Sequence, residues 1–283
     1  MGVENFLHEL VGSMSQGAAG NPTVAMIEAA FEHHGLHWRY VNMEVEPSDL
    51  AAAVQGARAM GFRGFNCSLP HKVTVIPHLD GLGESAALMG AVNCVVRSGQ
   101  QFIGENTDGK GFLRSLETAI DPRGKSVVLF GAGGAARAIA VELALAGVNK
   151  ITVVNRSEAR GAELATLLRD GLKLDTDLVA WHGEYAVPAG TDVVINGTSI
   201  GLYAPEARLE LDLNSLQPGM VLADVVFNPV RTRFLEEAAA RGCRTIDGLG
   251  MLVNQGIVGL QYWTGINPDA AVMRAALEKA MGV

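Results

Sequence analysis

Residues 126–157, SVVLFGAGGAARAIAVELALAGVNKITVVNRS, restrict the fold of this chain more than any other stretch. Residues 127–130 are an apolar run of strand length that ends in the glycine turn Gly131-Ala132-Gly133-Gly134-Ala135-Ala136. A helix-patterned segment without proline follows, and a second apolar run, 151–154, stops at Asn155-Arg156-Ser157. This is a strand–turn–helix–strand unit of the length on which a dinucleotide-binding sheet is built. Glycines let the main chain approach a pyrophosphate closely, and the helix start offers N–H groups and partial positive charge.

The end of the second strand selects the dinucleotide. Asp or Glu there binds the ribose 2′-hydroxyl of NAD(H) and repels a 2′-phosphate. This chain has neutral Asn155, followed by Arg156, Ser157 and Arg160. A guanidinium grips phosphate in a bidentate manner, and cations at a helix start are disfavoured unless an anion meets them. The unit therefore reads as an NADP(H) site built from Gly131, Ala132, Gly133, Gly134, Ala135, Asn155, Arg156, Ser157 and Arg160.

The rest of the chain must accommodate that unit. A length of 283 residues suggests two domains, and 48% hydrophobic with 18% charged residues describes a globular chain. A net charge of −8 argues against nucleic acid or an anionic membrane as partner. Cys67, Cys94 and Cys243 are odd in number and form no close pair, which suggests reduced thiols and a cytoplasmic location. Glu4 and Glu9 leave no basic leader, and no apolar run is long enough to span a membrane. His33, His34 and His37 cluster beside Gly35 without further ligands at metal-binding spacing, so they read as a surface helix end and no metal is expected.

Before the dinucleotide unit, residues 38–45 read as a strand, 47–60 as a helix, 64–69 as a short buried strand and 77–89 as mostly helical. Residues 91–96 and 101–104 read as strands around Ser98-Gly99. After the unit come strands at 192–195, 220–226 and 244–246, a helix at 232–240 and a helical tail from Met251. The expectation is an α/β protein with an N-terminal α/β substrate domain, residues 1–108 plus 248–283. A Rossmann-type doubly wound NADP-binding domain takes residues 109–247, and the C-terminal helices return to the first domain.

Two polar strings interrupt the apolar background of the first domain, Asn66-Cys-Ser68-Leu-Pro70-His-Lys72 and Gly104-Glu-Asn106-Thr107-Asp108-Gly109, each at the end of an expected strand. Strand ends are where ligands bind in open α/β sheets. Lys72 and Asp108 would suit an acid/base pair, in which the ammonium protonates an alkoxide and the carboxylate orients it. Spacing alone does not separate this from a surface lysine and an unrelated turn aspartate.

Read together with Gly90-Ala-Val-Asn93, residues 131–138, Asn155-Arg156-Ser157, Asn196-Gly-Thr198-Ser199-x-Gly201, Gly250-Met-Leu-x-x-Gln255-Gly256 and Trp263-Thr264-Gly265, these strings resemble the shikimate dehydrogenase family along nearly the whole chain. The resemblance implies NADP(H)-dependent interconversion of shikimate and 3-dehydroshikimate, with Lys72 as acid/base and Asp108 as its partner. It implies that Asn93 and Gln255 bind ring hydroxyls, that Ser68 stands where the family usually has threonine, and that Ser13 and Ser15 hold the substrate carboxylate. Thr198 and Gly250 fall among its cofactor-binding positions. A small-molecule partner is expected, and a homodimer is compatible.

The chain departs from the family twice at substrate positions. Ser15 is followed by the glycine-rich loop Gln16-Gly-Ala-Ala-Gly20-Asn21-Pro22 before a helix at 23–31, and Phe227 stands where the family commonly has tyrosine. Harmless drift and a paralogue with another substrate, such as quinate or an analogue, both fit these changes. A catalytically weak NADP-binding regulatory protein is the alternative of a different class.

Overall fold

The structure, a computed structural model, describes residues 6–283, so Glu4 lies outside the described residues. Internal contacts divide the chain into two units, Met1–Thr107 with Gly256–Gly282, and Asp108–Gln255.

The first unit begins with β1 (Glu9–Ser15), α1 (Thr23–His33), β2 (Trp38–Glu44), α2 (Leu50–Ala59) and β3 (Gly64–Cys67). It continues through α3 (His71–Thr74), β4 (Gly81–Leu82), α4 (Glu84–Met89), β5 (Cys94–Ser98) and β6 (Gln101–Glu105). Its six strands lie in the order β2-β1-β3-β5-β6-β4, with β5 antiparallel to β3 and β6 and the other pairings parallel. Met14, Val54, Phe65, Val75 and Phe102 form the centre of its core.

Strand β1 is absent from the sequence reading, because Gly12, Ser13 and Ser15 are weak strand formers. Packing overrides propensity here: a Cβ at position 12 would overlap the carbonyl oxygen of Val41 on β2, so only glycine permits the close β1–β2 pairing. Residues 77–89 also differ from the helix expected. A 3-10 turn (Ile76–His78) and β4 precede α4, because Pro77 lacks an N–H and Gly81 and Gly83 interrupt the helical run. Strand β3 stops at Cys67, so Lys72 lies on α3 rather than at a strand end.

The second unit contains α5 (Asp108–Glu117), β7 (Ser126–Phe130), α6 (Gly134–Leu145), β8 (Lys150–Asn155), α7 (Glu158–Thr166) and β9 (Asp175–Ala180). Strands β10 (Val193–Asn196), β11 (Val221–Asp224) and β12 (Arg244–Ile246) follow, with α8 (Arg233–Ala240) before the last. All strands are parallel, in the order β12-β11-β10-β7-β8-β9, a doubly wound Rossmann arrangement. Alternate residues enter opposite cores: Val127, Leu129, Ile151 and Val153 pack on one face, and Val128, Phe130 and Val154 on the other. Burial on both faces explains the unbroken apolar runs.

Strand β9 is also missing from the sequence reading. It is an edge strand whose outward positions are Asp175 and Asp177, both poor strand formers; Lys150 on β8 lies 3.5 and 2.7 Å from their carboxylates.

Helix α9 (Gly248–Thr264) has residues in both units, and α10 (Ala270–Met281) packs on α1 in the first. Trp263 Nε1 of α9 donates to Val95 O, 2.9 Å away, which ties the returning chain to β5. No helix among the described residues is long and apolar enough to cross a membrane, and among them no group of three His, Cys, Asp or Glu side chains could hold a metal ion.

Candidate dinucleotide and substrate sites

The turn after β7 owes its shape to Gly131, which takes φ 106°, a left-handed conformation that L side chains rarely adopt. Neighbouring strands pin it: Gly131 N donates to Val154 O (2.9 Å) and Gly197 N to Phe130 O (2.8 Å). Gly133 is the N-cap of α6 and has no side chain to bond the first-turn N–H groups. A Cβ on Gly133 or Gly134 would meet nothing within 4 Å, so space lies open over that helix start. Bare N–H donors, helix-dipole charge and open space suit a pyrophosphate, with Ala132 and Ala135 in the same turn.

At the end of β8, Asn155 Nδ2 donates to Ser157 O at 2.7 Å, and Ser157 Oγ caps α7 by accepting from Arg160 N at 3.5 Å. Arg156 reaches outward: its guanidinium lies 4.8 Å from the Trp181 ring centroid, and Nη2 lies 3.6 Å from Glu210 Oε2. Arg156 and Arg160 are the exposed cations beside this turn, which fits a 2′-phosphate. Thr198 forms the turn after β10, its hydroxyl donating to Asn196 Oδ1 (2.6 Å) and accepting from Ile200 N (3.1 Å). Gly250 lies in the first turn of α9, where its N–H donates to Asp247 Oδ1 at 2.8 Å.

Asp224 closes β11 and is buried, accepting from Asn196 Nδ2, Val226 N and Thr232 Oγ1 at 3.0, 2.9 and 2.6 Å. Burial outweighs these donors and raises its carboxyl to about 6. The folded state therefore binds this proton more tightly than the unfolded chain. Its stabilising effect is complete below the ordinary carboxylate value and is lost as pH rises through about 6. Urea unfolding between pH 4 and 7 is expected to show stability falling by up to about 3 kcal/mol from this group, with the slope flattened in Asp224→Asn. An unchanged slope in the variant would assign the pH dependence to other groups.

In the first unit, Ser13 and Ser15 point to one buried face of β1. Ser13 lies opposite Asn42 on β2 and Asn66 on β3. Asn21 Nδ2 donates to Ser13 Oγ at 3.1 Å, and the Tyr40 hydroxyl donates to Asn66 Oδ1 at 2.8 Å. Tyr40 also bonds Ser13, yet complete burial drives its phenol well above the ordinary range. The network continues from Asn66 Nδ2 to Asn93 O (3.0 Å) and from Asn93 Nδ2 to Thr107 Oγ1 (3.0 Å), while Asn93 Oδ1 accepts from Thr107 N (2.6 Å).

Ser68 N donates to Met14 O (3.1 Å), and Ser68 O accepts from His71 N (2.8 Å) at the start of α3. Lys72, half-buried, accepts at its carbonyl from Val92 N at 2.7 Å, which joins α3 to the residue before Asn93. Burial pushes the Cys67 thiol up to about 12 against the opposing charge of Lys72. Ser13, Ser68, Lys72 and Asn93 are thus joined through the β1, β3 and α3 segments.

Asp108 opens α5 in the second unit, where a carboxylate complements the helix dipole. Gly111 lies one turn on, so close to Met251 O and Gln255 N that a larger residue would separate α5 from α9. This packing sets Asp108 and buried Gln255 on adjoining helices, with Gln255 Nε2 donating to Leu252 O at 3.1 Å.

Sequence reasoning missed Tyr40, Asn21 and Glu44. Gln16–Pro22 is no open loop: Glu44 Oε1 and Oε2 accept from Gly17 N and Ala18 N, both at 2.7 Å, and Glu46 accepts from Gln16 Nε2 at 2.6 Å. Glu44 is paired with Ser15 in the β1–β2 register. Pro22 rather than a polar side chain precedes α1, and Asn21 Oδ1 bonds Thr23 N at 3.0 Å. Phe227 lies in the segment after β11, edge-on to Tyr203 at 6.3 Å.

Comparison with known proteins adds three family matches: the shikimate dehydrogenase substrate binding domain over residues 21–95, shikimate/quinate 5-dehydrogenase over 115–203, and the shikimate 5′-dehydrogenase C-terminal domain over 248–278. A shikimate dehydrogenase (NADP(+)) from Moorella thermoacetica is 44% identical over 261 residues, covering 91% of this chain and 88% of its own. A ligand-free 5-ketofructose reductase from a Gluconobacter strain superposes with a TM-score of 0.96 at 54% identity, covering 97% of this chain and 99% of its own. A shikimate 5-dehydrogenase from Thermus thermophilus, solved with NADP(H) and shikimate, gives a TM-score of 0.82 at 32% identity, covering 96% and 99%.

Proposed function

The chain belongs to the shikimate dehydrogenase family, and from that membership we propose that it is an NADP(H)-dependent reductase of an uncharged polyhydroxy ketone of the 5-ketofructose kind. The substrate choice is carried by Glu44. The family resemblance gives Ser13 and Ser15 a substrate carboxylate to hold. Glu44, beside Ser15, already fills the N–H groups of Gly17 and Ala18 with its own carboxylate. A second carboxylate at that strand end would face a like charge and lose water without gaining those donors. A neutral sugar hydroxyl meets no such repulsion. Phe227 in place of the family's tyrosine, and the 54% identity to the 5-ketofructose reductase, support the same reading.

In this reading NADP(H) gives or takes the hydride at the carbonyl or carbinol carbon. Lys72 protonates the oxygen that gains negative charge on reduction and recovers the proton on oxidation. The family resemblance assigns Asp108 as the partner of that lysine. The family resemblance also assigns hydroxyl contacts to Asn93 and to Gln255, and Ser68 leaves more room than threonine. Met1–Thr107 with Gly256–Gly282 is the substrate unit, and Asp108–Gln255 carries the dinucleotide.

The shikimate/3-dehydroshikimate pair is the second reading, favoured by the retained strings around Lys72, Asn93, Asp108 and Gln255. Steady-state reduction by NADPH of 5-ketofructose and of 3-dehydroshikimate separates the two. The expected kcat/KM favours the ketose by at least about a hundredfold, or ~2.7 kcal/mol. A preference for 3-dehydroshikimate would return the chain to the ring-acid reading.

A further inference from the structure

Arg156 already has an anion beside it. Its Nη2 lies 3.6 Å from Glu210 Oε2, and its guanidinium lies 4.8 Å from the Trp181 ring centroid. Main-chain bonds hold Glu210 in that place. Its carbonyl accepts from Tyr185 N at 3.0 Å and from Trp181 Nε1 at 3.2 Å, next to the bridge between Tyr185 and Leu211. Trp181 N in turn donates to Asn155 O at 3.1 Å, so this anchor leads back to the end of β8. None of these bonds uses the Glu210 carboxylate.

We propose that Glu210 is a specificity determinant for the dinucleotide: its carboxylate occupies Arg156 and competes with the 2′-phosphate of NADP(H), which narrows the preference for NADP(H) over NAD(H). This rests on the assignment of Arg156 to the 2′-phosphate. A phosphate carries more charge than a carboxylate and can engage the guanidinium through two bonds, so it displaces Glu210. The displacement leaves a carboxylate near the bound phosphate and lowers affinity. NAD(H) has a hydroxyl at that position and meets no like-charge penalty. Removing the carboxylate leaves Arg156 stacked on Trp181 and the backbone anchor complete, so a gain in phosphate binding is not accompanied by loss of the local fold.

Both side chains are half-exposed or more, which keeps the effect modest. In Glu210→Gln, titration with NADP⁺ and with 2′,5′-ADP at low salt is expected to give dissociation constants lowered about three- to tenfold, with NAD⁺ binding unchanged. The gain should shrink at high salt and vanish when Arg156→Ala is added. Arg156→Ala alone tests the underlying assignment. If it leaves NADP⁺ affinity intact, that assignment and this proposal both fail. If it weakens NADP⁺ binding while Glu210→Gln changes nothing, or shifts NADP⁺ and NAD⁺ alike, the assignment survives and the role of Glu210 is overturned.

Discussion

Lys72→Ala is expected to lower kcat roughly a thousandfold while the dissociation constant for NADPH changes by less than about twofold. The side chain to be removed is half-buried on a four-residue helix whose position depends on main-chain bonds. Val92 N reaches the Lys72 carbonyl at 2.7 Å, and the buried His71 ring holds Val45 O at 2.8 Å, and alanine disturbs neither. Alanine is also a good helix former, so α3 has no local reason to melt. What disappears is the proton donor of the proposed mechanism, for an alkoxide that has to be protonated as the hydride arrives. The residues proposed to hold the dinucleotide belong to the other unit, so NADPH binding tests for collateral damage. Stopped-flow reduction and NADPH fluorescence titration on one preparation supply both numbers. Near-normal turnover would remove Lys72 from the chemistry.

The second large effect is on cofactor choice. Arg156→Ala is expected to raise KM for NADP(H) about 10- to 100-fold and to leave KM for NAD(H) within about twofold, the size of losing a charge-assisted phosphate contact. Arg160 lies on the first turn of α7 and retains some attraction for the phosphate, so the loss stops short of complete. Asn155 closes the turn and Ser157 caps α7, and both keep these bonds without Arg156. Steady-state kinetics with both cofactors provide the check. A parallel fall with NAD(H) would mean that Arg156 shapes the turn, and the phosphate clamp would have to be placed elsewhere.

The β7–α6–β8 unit was legible in the sequence because its strands are buried on both faces and its turn needs glycine at Gly131. Both properties leave residue-level marks within a short window. Strands β1 and β9 left no such mark. The first exists because Gly12 lets β2 approach, and the second because β8 supplies a pairing edge and Lys150 balances its aspartates. Lys72 and Asp108 could be named from their strings, but the helix under Lys72 follows from the early end of β3 and was not foreseeable from periodicity. The partners on which the proposed specificity rests were invisible: Glu44 meets Gly17 and Ala18 across more than twenty residues, and Glu210 meets Arg156 across more than fifty. Such contacts are set by strand register and by bridges between distant loops, and a linear pattern does not encode them.

The outward carboxylates of β9 also bear on self-association. An edge strand offers unsatisfied backbone groups to any strand that comes alongside it, including that of another molecule. Two copies meeting antiparallel through β9 would bring two aspartates from each chain into one small area, with a single lysine from each to offset them. The charges of β9 thus weigh against end-to-end growth of the sheet of the second unit.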